Sequence, residues 1–122
     1  MGLDQYAYRM DAATGDEGGS VVFQWRKHAK LQQFMEETFE ERTGLCATDL
    51  NCGRLELTAE DIDRLEHCLN ENAMPESAGG FFYGHQMQDE QAKAYAEQDR
   101  AFCAWARATL NDNATPVFSC WW

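Results

Sequence analysis

The chain has 122 residues, 44% of them apolar and 12% aromatic, a composition that excludes a disordered or fibrous protein and predicts one domain, 1–122, with a modest core. Its formal charge is −11, from 21 acids against 10 bases, which excludes a phosphate-tracking nucleic-acid binder and docking on an anionic membrane. That charge is segregated: residues 36–76 hold twelve acids against only Arg42, Arg54 and Arg64, or −9 of the −11, while the first 35 residues are neutral.

Leu3, Tyr6 and Tyr8 predict a short strand near the start. Residues 12–20, with three Gly and small or polar residues between them, read as a loop. Val21-Val22-Phe23 predicts a second strand leading into Trp25. Leu31, Phe34, Met35 and Thr38 fall at i, i+3, i+4 and i+7, which predicts a helix over 28–42 with Gly44 as its stop. Leu55-Glu56-Leu57 alternates as a strand does. Thr58 then reads as an N-cap, with Glu60 and Asp61 in the first turn of a helix that buries Ile62, Leu65 and Leu69. Gly79-Gly80-Phe81-Phe82-Tyr83-Gly84 predicts a short strand or tight loop. A long helix over 89–110 follows, with Ala92, Tyr95, Ala96, Asp99, Phe102, Cys103, Ala106 and Leu110 on its inner face. Residues 115–122 supply a last strand. These elements predict an α+β fold, about three helices packed on a short, mostly antiparallel sheet.

No segment reads as a secretory leader, and no apolar run approaches the ~18 residues of a membrane span. The five cysteines, Cys46, Cys52, Cys68, Cys103 and Cys120, are odd in number, which predicts free thiols in a reducing compartment. Neither they nor His28, His67 and His85 have the spacing of a structural zinc site, so no metal and no cofactor is expected.

Three features could carry chemistry. Arg26, Lys27 and His28, with Lys30 close behind, fall in the first turn of the predicted first helix, where a phosphate or carboxylate could bind; the alternative is a solvated charged surface. Asp99 is a carboxylate on an otherwise apolar stripe. It needs a buried partner such as Tyr, Trp, Arg or a backbone N–H, or it is an acid/base or ligand group. The glycine-bracketed aromatics lack the Gly-Lys-Ser/Thr ending and the G-x-G-x-x-G order of phosphate loops. They pack closely or wall a planar ligand. Trp121 and Trp122 pack in the core, or one caps it while the other, exposed, anchors a contact.

Met1-Gly2-Leu3-Asp4-Gln5-Tyr6, Trp25-Arg26-Lys27-His28 with Leu31-Gln32, Gly80-Phe81-Phe82-Tyr83-Gly84, Gln98-Asp99 with Phe102, and the closing Trp121-Trp122 together resemble a family of small uncharacterised phage-encoded proteins. The resemblance runs over nearly the whole chain. Some members carry the label phosphoglycerate kinase, which does not transfer: a two-domain kinase is several times longer, and this chain has no nucleotide-binding motif. The resemblance implies a viral protein acting in the host bacterial cytoplasm.

The leading expectation is a non-enzymatic phage accessory protein, an inhibitor of a host antiviral factor such as a nuclease or CRISPR complex. Glu36, Glu37, Glu40, Glu41, Glu60, Asp61 and Asp63 would face a basic, nucleic-acid-binding surface of a host protein, acting as a DNA mimic. The alternative is a small-ligand binder or nucleotide sponge, in which Arg26, Lys27 and His28 hold phosphate, Phe82, Tyr83 or Trp122 stack a base, and Asp99 contacts the ligand. A small enzyme with His28 and Asp99 as acid/base groups ranks third, and a homodimer is left open.

Overall fold

A computed structural model of the chain describes residues 3–11, 21–77 and 88–122. The predicted loop over 12–20 and the aromatic segment with Phe82 and Tyr83 lie outside the described residues. The strands are β1 (Asp4–Asp11), β2 (Phe23–Arg26), β3 (Arg54–Glu56) and β4 (Ala114–Trp121), and the helices are α1 (Ala29–Thr43), α2 (Ala59–Asn70) and α3 (Gln88–Asn111). A short 3-10 turn, Ala47–Leu50, lies between α1 and β3. The three helices pack against a four-stranded antiparallel sheet of order β2-β1-β4-β3, the expected α+β fold.

The sheet register sorts side chains by parity. Gln5 lies opposite both Trp25 and Cys120, and Ala7 opposite Phe118, which in turn faces Leu55. All of these are buried, as is Leu3 at the same parity on β1. The other parity places Tyr6 beside Ser119 and Asp4 beside Trp121, and Trp121 stays 59% exposed. One sheet face therefore carries the core, where Phe23, Trp25, Phe102 and Trp105 meet with ring centroids 5.3–6.0 Å apart. Aromatic contacts of this kind add to area burial.

The helices begin and end on local chemistry. Gly44 takes φ 73° and returns its N–H to the Glu40 carbonyl, a left-handed stop that a glycine adopts without strain. At the start of α2, Thr58 and Asp61 exchange side-chain and backbone hydrogen bonds in a full capping box. Two further arginines close on the same carboxylate: Arg42 from α1, and Arg64 one turn along α2 at 2.9 Å. Asp61 thus docks α2 on α1 as well as capping it.

The outer edge of β2 is covered. The Arg26 N–H donates to the Tyr95 hydroxyl at 3.0 Å, and the Gln98 side chain donates to the Gln24 carbonyl at 2.8 Å. Two residues of α3 thereby take the backbone groups that an added strand would need. Replacing Thr58 by Ala removes half of the capping box. It is expected to cost about 1 kcal/mol, read as a lower urea midpoint with an unchanged slope.

Candidate functional site

Arg26, Lys27 and His28 do not form the first turn of α1. Arg26 ends β2, Lys27 turns the chain with a positive φ of 54°, and His28 is the N-cap residue. The cause is Gln5, a strand residue 23 positions earlier. Its amide oxygen accepts from the His28 N–H at 3.0 Å and its amide nitrogen donates to the His28 carbonyl at 3.1 Å. Clamped on both sides, His28 caps the helix rather than entering its first turn, while its carbonyl also accepts the Gln32 N–H at 3.0 Å. The cluster is split as a result: Arg26 points outward toward Asp4, 3.8 Å away, and His28 is fully buried.

The His28 side chain turns inward to Asp99, with Nε2 2.7 Å from Oδ2. The other carboxylate oxygen accepts from the Trp25 indole N–H at 2.9 Å. Tyr95, one turn earlier on α3, stacks on the imidazole with ring centroids 5.2 Å apart. Asp99 is 1% exposed and His28 0%. The oddity on the α3 stripe is therefore a paired carboxylate, and one partner is the Trp that the sequence allowed. The pair expected of an acid/base enzyme does meet, but it is enclosed on every side by core.

The polar chain continues through α1. Gln32 meets the Gln5 amide at 3.3 Å and donates to Glu36 at 2.9 Å, and its side-chain nitrogen lies 3.5 Å from the Cys120 sulfur. Sequence reasoning missed Gln5 and Gln32. The signals were present: Gln5 shares strand parity with Leu3 and Ala7, and His28, Gln32 and Glu36 recur every four residues on one side of a helix. Burial pushes the thiols of both Cys103 and Cys120 up to about 12. They behave as small apolar groups rather than nucleophiles. All five cysteines are free.

The acids divide into two sets. Glu36 (8% exposed) and Asp61 (3%) are inside the structure, which corrects their place on a binding face: Glu36 accepts from Gln32, and Asp61 is held by the α2 cap and two arginines. Burial alone would raise the Asp61 carboxyl, but Arg42, the Thr58 N–H and Arg64 together hold it below its ordinary value. Asp63 is exposed yet paired with Arg107 at 2.6 Å. Glu37, Glu40, Glu41 and Glu60 are exposed. Glu37, Glu41 and Asp63 converge on one cavity of about 500 Å³ between α1 and α2, floored by Phe34 and Pro75. Glu41 also meets Glu60 at an adjoining cleft of about 430 Å³. The acids of two helices thus share one face.

The alternative ligand set is dispersed. His28 and Asp99 are core, Arg26 lies outside it, and Trp122, partly buried against the core, is held just past the end of β4 by two hydrogen bonds between its backbone and the Asn51 side chain. Among the described residues no group of three His, Cys, Asp or Glu could hold a metal ion, and no helix is long and apolar enough to cross a membrane. Comparison with protein-family models, curated proteins and solved structures gave no match.

Two outcomes follow from this geometry. Asp99→Ala strands His28 and the Trp25 N–H in the core and is expected to cost about 3–5 kcal/mol; Asp99→Asn, which keeps an acceptor for Trp25, costs less. Urea titration ranks the two. Asp61 has a lowered pKa, so its contribution is complete above the ordinary value of 3.8 and is lost as pH falls through the lowered one. Asp61→Asn is therefore expected to destabilise at neutral pH and to flatten the acid limb of a stability–pH profile below about pH 4.

Proposed function

We propose that the chain is a non-enzymatic phage accessory protein that occupies the basic, nucleic-acid-binding surface of a host defence factor in the bacterial cytoplasm. The observation that carries this reading is the gathering of Glu37, Glu41, Glu60 and Asp63 around two adjoining clefts of α1 and α2. Glu40 stands exposed on the same helix. Glu37, Glu40, Glu41 and Glu60 have no ion-pair partner among the described residues, so their field is not cancelled locally. Such a field speeds encounter with a basic groove and orients the docked complex. Flanking arginines reduce it without cancelling it: Arg42 and Arg64 both bond the buried Asp61, whose single charge offsets one of the two.

Two observations support binding over catalysis. The close acid/base pair of His28 and Asp99 is enclosed in the core, and the buried thiols of Cys103 and Cys120 have raised pKa values. A substrate would have to open the fold to reach any of them. The phage origin rests on the distributed sequence resemblance and the host target on electrostatics.

The test is capture from bacterial lysate on the immobilised protein. The expected partner is basic, leaves at high salt and is displaced by duplex DNA. The triple variant Glu37→Lys, Glu40→Lys, Glu41→Lys spares the buried Glu36 and is expected to lower affinity at least about tenfold. Undiminished capture by that variant, or a partner indifferent to DNA, would overturn the proposal.

A further inference from the structure

Three of the ten Lys and Arg residues gather as well, at a place the sequence did not suggest. Lys30 in the first turn of α1, and Lys93 and Arg100 on α3, line a cavity of about 430 Å³ together with Leu69 and Asn72 from the end of α2. One acid, Asp89, shares it. Three bases against one acid give a local +2 in a chain of −11. The neighbouring α1–α2 cavity has the reverse balance, with three acids and one arginine.

Each cation is placed differently. The Lys30 side chain is 17% exposed, and its ammonium bonds Asp89 at 2.8 Å. Asp89 itself is 88% exposed, so the acid side of the pair faces solvent and can give way to a stronger anion at the mostly buried ammonium. Arg100 is fixed at the wall by Asn70 Oδ1 at 2.7 Å and the Leu69 carbonyl at 3.2 Å. Two contacts leave further guanidinium donors, and neither contact is an acid. Lys93 has no ion-pair partner among the described residues. Ala92, Ala96 and Leu69 supply apolar wall beside these charges.

We propose that this cavity binds a phosphate monoester, the phosphate displacing Asp89 from Lys30 and gathering Lys93 and Arg100, with the organic body against Ala92, Ala96 and Leu69. Two ammoniums and a guanidinium fork suit an anion with several strong acceptor oxygens better than they suit a single carboxylate. The volume lies within the range of small-ligand sites. The site adjoins the acidic cavity, with Cys68 in the lining of both, but its charged residues are different ones.

Amide shifts in a nitrogen-15 spectrum, recorded at low salt during titration with inorganic phosphate and, separately, with adenosine monophosphate, test it. Saturable shifts at Lys30, Lys93 and Arg100 are expected. Tighter binding of the nucleotide supports the monoester; equal binding overturns the role of the apolar wall and leaves a site for free phosphate. Lys93→Glu, at an exposed side chain that bonds nothing described, is expected to weaken binding at least about tenfold without lowering the melting temperature. Asp89→Asn removes the competing carboxylate and is expected to tighten it several-fold. No saturable shift with either probe, or identical binding by both variants, would overturn the site.

Discussion

The fold is organised around one buried carboxylate. A charge withdrawn from water is tolerated only when it is paired and hydrogen-bonded, and Asp99 finds its partners on two other elements: the indole of Trp25 on β2 and the imidazole of His28 at the head of α1. This fixes how α3 lies across the sheet and where α1 begins. Gln5 then locks the α1 entry to β1, and Gln32 carries the polar chain on to β4 through Cys120. Tyr95 follows from the same placement. Held over the imidazole, it reaches the backbone at the edge of β2. Removing the carboxylate thus unsettles a helix docking, a helix start and a sheet edge together.

Around this centre the acids have been divided by use. Asp99, Asp61 and Glu36 are inside and bonded, and they build the structure. Asp63 and Glu66 share Arg107, which ties α2 to α3. The remaining carboxylates on α1 and α2 have no such duty, and their mutual repulsion opposes folding slightly. That cost is borne by the arginines and caps that fasten the two helices. A strongly acidic face is therefore compatible with a small core, because the fastening groups are themselves charged.

Much of the architecture was legible because it is local. The i, i+3, i+4 stripe of α1, Gly44 as its stop, Thr58 as an N-cap and the length of α3 each depend on neighbours within a turn or two, and each stands in the structure. Strand β1 runs on to Asp11, beyond its apolar alternation, because pairing with β4 extends to Ala114; that pairing is invisible from either segment alone. Residues 26–28 read as a helix start because their turn is imposed by Gln5 from another strand. Leu110 packs partly buried against the core as expected, but Thr109 beside it, outside the predicted stripe, is buried too, its hydroxyl bonded back to the Trp105 carbonyl. The singularity of Asp99 was visible as a carboxylate on an apolar stripe, but its meeting with His28, 71 positions away, was not. The acidic stretch was visible too, though not that two of its members are interior. Fractional burial is a tertiary property, and sequence gives only the periodicity that precedes it.

The central pair of the sheet joins β1 to β4, the first and last strands of the fold, residue Asp4 against Trp121. Synthesis therefore imposes an order on assembly. At roughly 5–20 residues per second, β1 waits on the order of ten seconds on the ribosome before its main partner is made. During that interval the three helices can form, but the sheet that should bury their apolar stripes is missing its middle. The surface charge of α1 and α2 is already in place by then and keeps the incomplete chain apart from its neighbours on the same message. The acids exposed on the finished protein would serve first as a solubilising coat for the unfinished one.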